Sequence, residues 1–201
     1  MIRNNSKFEQ FWRTGGFSLV ETLVAISLLL IVIAGPMTIT ARSAKSTTFA
    51  SEQVQAFFLA QEGIELAQKL RDDLLLQQFN NSTIQAWNQF TTTLYNNCRS
   101  ASGCALHWES NTGVVSNPLS CAAISNCRLH YRDSDSRGRY THNSGAGTTP
   151  TPFTRQVFFT YNPVSPERVL VRSLVTWRTG SLVSQQSVQV QTYLYNIYPN
   201  P

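Results

Sequence analysis

The chain of 201 residues is long enough for one domain with a hydrophobic core and a further segment outside that core. Hydrophobic residues make up 42% of it and charged residues only 13%, which is a low charged fraction for a soluble protein. The formal net charge is +5, but the basic residues are scattered without the dense run that is typical of nucleic-acid binding. Composition therefore argues against a nucleic-acid-binding protein and indicates that the apolar residues are concentrated in one segment.

That apolar segment runs from Phe17 to Met37 and reads FSLVETLVAISLLLIVIAGPM. As a helix it would be about 31 Å long, which is enough to cross the hydrocarbon core of a bilayer. The basic residues Arg3, Lys7 and Arg13 precede it, and positive flanks of a span stay on the cytoplasmic side. We therefore expect a single-pass membrane protein, with its N-terminus inside and the rest of the chain outside.

The order of the N-terminal features is the reverse of that in a secretory signal peptide. In a signal peptide the cleavage site follows the apolar core, whereas here a polar leader, residues 1–16, ends in two glycines and the apolar run follows directly. This order resembles that of the type IV prepilin family, whose processing motif is a Gly, an aromatic or apolar residue, and a Glu five places into the mature chain. Gly16, Phe17 and Glu21 match that motif without a gap.

The resemblance implies that a prepilin peptidase cuts between Gly16 and Phe17 and methylates the new amine of Phe17. It implies a location in the bacterial cytoplasmic membrane. It also implies other pilin subunits, the pilus or secretion assembly machinery of the inner membrane, and membrane lipid as partners. The segment ETLVAISLLLIVIAG is similar to the minor pilins of the modification type and to the small pseudopilins of type II secretion. These residues leave open which of the two it is.

Glu21 also has a physical interpretation that does not depend on the resemblance. An ionisable residue inside a membrane helix costs several kcal/mol unless it is paired or neutralised, and the span contains no Lys or Arg. The amine of Phe17 on a neighbouring subunit would neutralise the Glu21 carboxylate and give each incoming subunit a directional docking point. The alternative is that the carboxylate reaches the lipid head groups near the interface.

Gly35 and Pro36 lie toward the outer end of the span. Proline inside a helix removes one backbone hydrogen bond and clashes with the preceding turn, so a kink or local melting is expected at this point. The resemblance implies the same feature, and a purely structural kink is equally compatible with the sequence.

Beyond the span, an amphipathic pattern predicts that the same helix continues from Ala41 to about Phe79. Gly63 is a weak point in this run, and Asn80-Asn81-Ser82 is the predicted stop. We expect the apolar stripe of this part of the helix to pack against a sheet. The stripe consists of Ala50, Val54, Phe57, Ala60, Ile64, Ala67, Leu70 and Leu74.

A second, short helix is predicted from Thr83 to Tyr95, with Ile84, Trp87, Phe90 and Leu94 on one face. The chain then turns to strand patterns separated by Gly, Pro, Asn and Ser. One predicted strand is Pro152 to Tyr161. Two further runs alternate on one face, flank a turn at Arg178-Thr179-Gly180-Ser181, and predict an antiparallel pair. The alternating residues are Val169, Val171, Val175 and Trp177 in the first run and Val188, Val190, Thr192 and Leu194 in the second.

The segments CRSASGC-ALHW and CAAISNC-RLHY form a small internal repeat, C-x5-C-x-Leu-His-aromatic. Four cysteines outside a membrane favour disulfides, and three connectivities are possible. The repeat favours Cys98–Cys104 and Cys121–Cys127. The rival interpretation is a four-thiolate zinc site, against which the absence of tight ligand spacings and the oxidising compartment argue. We therefore expect no metal and no cofactor.

His107 and His130 occupy equivalent positions in the repeat. Alternation along a strand predicts that both histidines point to solvent, whereas Leu106, Trp108, Leu129 and Tyr131 point inward. A metal site shared by the two histidines would need a third ligand, for which the sequence offers no candidate. Solvated histidines are the preferred interpretation.

Asp133-Ser134-Asp135-Ser136-Arg137-Gly138 begins like a calcium-binding loop. Arg137 occupies the place of an oxygen ligand and no Glu closes the loop, so a polar turn is the preferred interpretation. The sequence shows no Ser/His/Asp set, no phosphate-binding glycine loop and no paired acids in an apolar setting. We therefore do not expect an enzyme.

Together these features predict an α+β fold, with a long N-terminal helix, transmembrane in its first half, packed on an antiparallel β-sheet head. The expected parts are the leader 1–16, the span 17–39, an amphipathic half 40–80 and a globular head 81–201. The expected function is that of a minor pilin, a structural subunit of an extracellular or periplasmic filament. The alternatives are a type II secretion pseudopilin or a single-span anchored binding module. The anchored module would need neither cleavage at Gly16–Phe17 nor Glu21.

Overall fold

The computed structural model of the chain describes residues 16, 18–77, 83–93, 95–109, 113–133, 138–179 and 184–197. The chain divides into two compact units, with the boundary between Thr47 and Thr48. Each unit contains part of one helix, α1, which runs from Leu19 to Gln77. The predicted helix stop at Asn80-Asn81-Ser82 lies outside the described residues.

In the first unit, α1 carries the apolar segment and is long and apolar enough to cross a membrane. Every residue from 18 to 47 is exposed. Several hydroxyl groups in this segment donate to backbone carbonyls one turn earlier, which satisfies these donors without water. These pairs include Thr22 with Leu19, Ser27 with Leu23, Thr38 with Gly35 and Thr40 with Pro36.

The second unit contains the rest of α1, two shorter helices and the strands. Helix α2, Thr83–Asn88, continues into a π-helical turn, Gln89–Thr93, and α3 is Asn96–Arg99. The short helix predicted after α1 is therefore confirmed, although its second half is π-helical. The indole N–H of Trp87 donates to the carbonyl of Pro166 at 2.7 Å, which connects α2 to the loop between two strands of the sheet.

Nine strands lie in the described part of the second unit. In chain order they are β1 Cys104–Ala105, β2 Trp108–Glu109, β3 Val114–Val115, β4 Leu119–Ser120, β5 Arg128–Arg132, β6 Arg139–Thr141, β7 Thr148–Tyr161, β8 Arg168–Trp177 and β9 Gln186–Tyr195. Strands β2 and β3 pair with each other. The other seven form one antiparallel sheet in which β7 pairs with β1, β5 and β8, while β4, β6 and β9 extend it.

The predicted strand patterns agree with this sheet. The strand predicted from Pro152 to Tyr161 is part of β7, and the predicted antiparallel pair is β8 and β9. Strand β8 has the strict alternation that the sequence indicated, since Val169, Val171, Val175 and Trp177 are all buried. An α+β architecture is therefore confirmed.

The hydrophobic core lies between α1 and the sheet and has two parts along the helix. Near residue 60, small and apolar residues of α1 pack with Phe153, Val175 and Trp177. Further along, the helix packs with Phe90, Phe159 and Val171, where the aromatic rings form a cluster. The buried residues of α1 are Ala56, Leu59, Ala60, Gly63, Ile64, Leu66, Ala67, Leu70, Leu74 and Leu75.

The predicted stripe on α1 is correct from Ala60 onward and wrong before it. Ala50 is exposed, and Val54 and Phe57 are 56% and 44% exposed, so these three residues do not face the sheet. Helical periodicity predicts an apolar stripe but does not indicate where along α1 the covering sheet ends. Ala56 and Leu59 are the buried residues of this region.

Gly63 was predicted to be a weak point of the helix, but α1 is continuous there and packs directly against the sheet. It is buried, and a Cβ at this position would clash with the Ser173 hydroxyl of β8 and lie 3.2 Å from Cδ of Arg155. A side chain would therefore push the helix away from the sheet.

Candidate functional site

The N-terminal residues of α1 form the first candidate site. Gly16 is exposed, and a Cβ at this position would have no neighbour within 4 Å, whereas Phe17 lies outside the described residues. Glu21 is exposed and lies in the first turn of α1, where the helix dipole favours a negative charge. None of the described residues forms a hydrogen bond or ion pair with the Glu21 carboxylate. The described residues of the chain therefore leave the Glu21 carboxylate accessible to a partner.

Gly35 and Pro36 are both helical in the structure, so α1 is not melted at this point. Pro36 has no backbone N–H to donate to the carbonyl one turn earlier. Just beyond it, the hydroxyl of Thr38 donates to the carbonyl of Gly35 at 2.7 Å, and that of Thr40 to the carbonyl of Pro36 at 2.8 Å. The kink itself stays a prediction.

The four cysteines form two disulfides, Cys98–Cys104 and Cys121–Cys127, which are the pairs that the repeat favoured. Pairing of β1 with β4 places the two loops side by side, and the N–H of Cys121 donates to the carbonyl of Gly103 at 3.1 Å. No pattern in the sequence indicates that the loops are neighbours. All four cysteines are bonded, so the two loops contain no free thiol.

The predicted orientation of the first histidine segment is wrong. His107 is only 3% exposed, whereas Trp108 is 37% exposed, and the inward residue Leu106 is buried as predicted. Residues 106 and 107 precede the short strand β2 and do not belong to a strand themselves, so strict alternation does not apply to them. The Ser116 hydroxyl is the partner of two groups of His107. Its Oγ accepts from the backbone N–H at 3.1 Å and lies 3.0 Å from Nδ1.

The second histidine segment is also only partly as predicted. Leu129 is buried as expected, but Tyr131 is 36% exposed and packs edge-on against Tyr140 of β6. His130 is half-buried and does not point freely to solvent. The repeat in sequence is therefore not a repeat in structure, because only the second copy continues directly into a full strand, β5.

His142 is a buried residue that the sequence analysis did not single out. It is 6% exposed, and its ring centroid lies 5.9 Å from that of His107. Neither ring nitrogen of His142 has a hydrogen-bond partner among the described residues. Burial lowers the pKa of His142 well below its usual value and the charge of Arg155 adds to this, while the backbone of Arg128 has a smaller, opposite effect. Burial is also the main cause that lowers the pKa of His107. Both imidazoles are therefore neutral near pH 7.

Arg155 is a second residue that sequence analysis missed. Its side chain is fully buried beneath α1, and its guanidinium donates to the carbonyl of Leu59 at 3.1 Å, to the Glu62 carboxylate at 2.6 Å and to the carbonyl of Leu106 at 2.8 Å. It thus connects helix, sheet and the segment before His107. In the sequence it appears only as one basic residue in a predicted strand, so no pattern marks it.

The calcium-like loop lies mainly outside the described residues, since the structure describes only Asp133 and Gly138 of it. Within the described part of the chain, no three His, Cys, Asp or Glu side chains lie close enough to hold a metal ion. The structure offers two candidate functional sites. One is the N-terminal part of α1, and the other is the polar cluster formed by His107, Ser116, His142 and Arg155.

Comparison of the whole chain with protein-family models, with characterised proteins and with solved structures finds no match.

Proposed function

We propose that this chain is a structural subunit of a type IV pilus-like filament, cut between Gly16 and Phe17 and assembled through its N-terminal helix. The observation that carries the proposal is the exposure of the first part of α1, since every residue from 18 to 47 is exposed among the described residues. An uncovered apolar helix of this length needs lipid or other helices around it. In this proposal lipid surrounds the helix of the stored subunit, and helices of neighbouring subunits surround it in the filament.

Glu21 gives the assembly its direction. Its carboxylate lies near the start of the helix and has no partner among the described residues of its own chain. The mature amine at Phe17 of a neighbouring subunit would supply the missing positive charge, and this pairing forms only on assembly. The subunit therefore works by association and not by catalysis, while its pilin-like head faces outward.

The proposal is tested first by the N-terminus of the protein. In cells with an active prepilin peptidase, mass spectrometry of the membrane-extracted chain should find a mature N-terminus at Phe17, methylated on its amine. Replacing Gly16 by Leu should retain the leader. Since a Cβ at position 16 would meet none of the described residues within 4 Å, we expect this variant to leave the described fold undisturbed. Recovery of the uncut wild-type chain would contradict the proposal.

The second test concerns assembly. Glu21→Leu should be cleaved normally but should enter sheared filaments about tenfold less than the wild type, because it lacks the charge that pairs with the neighbouring amine. The matched control is Glu65→Leu, which removes an exposed acid from the same helix within the second unit. Equal incorporation of the wild type and Glu21→Leu would favour an anchored module that does not polymerise.

A further inference from the structure

Two basic residues follow the apolar segment of α1 within the first unit. Arg42 and Lys45 come after Met37 on the same helix, and both are exposed. Because an α-helix rises about 1.5 Å per residue, their Cα atoms lie about 7.5 Å and about 12 Å beyond that of Met37. The polar head-group layer on each side of a bilayer is roughly 5–8 Å thick. When the apolar segment fills the hydrocarbon core, both residues therefore leave the helix near the outer edge of the head-group layer.

The direction of the helix brings both side chains back into that layer. In an α-helix the Cα–Cβ bonds are tilted toward the N-terminus, which for Arg42 and Lys45 is the direction of the membrane. Both side chains have long apolar stems that lie along apolar surface while the charged end stays among polar groups. Residues three apart share one face of a helix, so the two cations are neighbours. Both charges therefore reach the depth of the lipid phosphates.

Neither cation has a counter-charge among the described residues. Arg42 and Lys45 form no ion pair or hydrogen bond there. The only acid between residues 18 and 47 is Glu21, which lies about 31 Å away along the helix. The next acid, Glu52, belongs to the second unit and accepts a hydrogen bond from the Thr179 hydroxyl at 2.5 Å.

The spacing of the two cations makes an external anion favourable. Like charges on one face of a helix repel each other and destabilise it. An anion that contacts both Arg42 and Lys45 would remove this repulsion. Where the apolar segment spans a membrane, the anions at this depth are lipid phosphates.

We propose that Arg42 and Lys45 bind the phosphate of an anionic phospholipid in the leaflet at the C-terminal end of the span. Guanidinium and ammonium groups both form charge-assisted hydrogen bonds with phosphate oxygens. Ile39, one turn before Arg42 on the same face, is 69% exposed and offers apolar surface to the acyl chains of that lipid. The inference rests on the membrane span of the proposed function, but not on cleavage or on Glu21.

Native mass spectrometry of the full chain in detergent, titrated with phosphatidylglycerol and separately with phosphatidylcholine, tests the proposal. The wild type should bind one phosphatidylglycerol and should bind phosphatidylcholine more weakly. One basic residue near an anionic membrane surface strengthens binding about fivefold, so Arg42→Gln/Lys45→Gln should weaken phosphatidylglycerol binding about twentyfold. Gln has nearly the helix propensity of Arg and Lys, so this variant should leave α1 intact.

Arg99→Gln/Arg128→Gln is the matched control, since it removes the same charge from two exposed residues of the second unit. Its phosphatidylglycerol binding should equal that of the wild type. A gain of affinity separates binding from misfolding. Ser46→Lys adds a third cation one turn after Arg42, at an exposed position, and should tighten phosphatidylglycerol binding severalfold, which a damaged fold would not produce.

Three results would overturn the proposal. They are equal phosphatidylglycerol binding by the wild type and Arg42→Gln/Lys45→Gln, an equal loss in the matched control, and binding of inorganic phosphate as tight as that of the lipid. Failure of the span itself is distinguishable, because a chain without a span would be recovered in the soluble fraction of cells broken without detergent. A membrane-integrated chain that shows no preference for phosphatidylglycerol would contradict this inference alone.

Discussion

A buried arginine determines how helix and sheet fit together in this protein. Arg155 is fully buried, and its three acceptors belong to two different parts of the second unit, namely α1 and the segment before His107. A guanidinium presents donors in a planar fork, which suits several acceptors at once. The hydrogen bonds of Arg155 and the lack of room for a side chain at Gly63 therefore both determine where α1 lies on the sheet.

Arg155→Met should lower the free energy of unfolding by about 3 kcal/mol, because it removes the donor to the buried Leu106 carbonyl and the cationic partner of the Glu62 carboxylate. Glu62→Gln should cost less, since the Glu62 carboxylate is partly exposed and Arg155 keeps both carbonyl acceptors. Urea unfolding of the full chain in detergent measures both. Arg172→Met is the control, as Arg172 is partly exposed and contacts the ring of Phe158 at 4.4 Å. An equal loss in Arg155→Met and Arg172→Met would contradict this role.

Buried imidazoles should make the second unit sensitive to acid. The pKa values of His107 and His142 are lowered in the folded state, so below pH 6.5 the unfolded chain binds more protons than the folded one. Stability should therefore be full above pH 6.5 and fall as the pH decreases, by about 1.4 kcal/mol per pH unit for each histidine until its folded pKa is reached.

The measurement is urea unfolding of the full chain between pH 7 and pH 5. His142→Asn should reduce the slope of stability against pH by about the contribution of one histidine. Asn143→Ala, one residue further along, removes no titrating group and should leave the slope unchanged. A wild-type stability that rises toward pH 5 would show that the histidines are not buried in this way.

At the scale of elements, comparison of the two disulfides separates the stabilisation that comes from loop closure from that which comes from core packing. Both join cysteines six residues apart, so closing each loop contributes the same chain-entropy term, about 2 kcal/mol. Their surroundings differ, because Cys98 and Cys104 lie in the main core, whereas Cys121 and Cys127 form a small cluster with Ala105.

Replacing Cys98 and Cys104 together by Ala should therefore destabilise the protein more than replacing Cys121 and Cys127 together by Ala. The difference between the two double variants should reflect lost core packing, since the closure terms are equal. Urea unfolding under non-reducing conditions measures both variants against the wild type. Equal losses would mean that packing around the first pair adds nothing to its stability.

The elements that sequence analysis predicted well are those with a local signal. Alternation located β8 and β9, and the Cys repeat favoured the observed pairs. Where the burial of a residue depended on an element far away in the chain, the prediction was wrong. Val54 and Phe57 look like core residues on a helical wheel, but only the position of the sheet decides which face of α1 is covered.

At the scale of the whole molecule, the sequence predicted the α+β architecture and a helix long and apolar enough to cross a membrane, but not the contents of the polar cluster. Apolar runs and alternation are local patterns, whereas His142, Arg155 and Ser116 come together only through long-range folding. The processing motif is a different case, because Phe17 lies outside the described residues and cleavage stays a prediction. Mass spectrometry of the mature N-terminus is the test of this cleavage.

The shortness of both disulfide loops also affects how a refolded sample should be judged. Each cysteine is bonded to its nearest cysteine neighbour along the chain, and short loops close most readily in a disordered chain. The native bonds can therefore form before β7, β8 and β9 have paired. A preparation with both native bonds and no free thiol has not thereby shown that its sheet is formed. Protection of the Arg155 region from hydrogen exchange is the better criterion, because burial of that side chain requires helix and sheet to be in place.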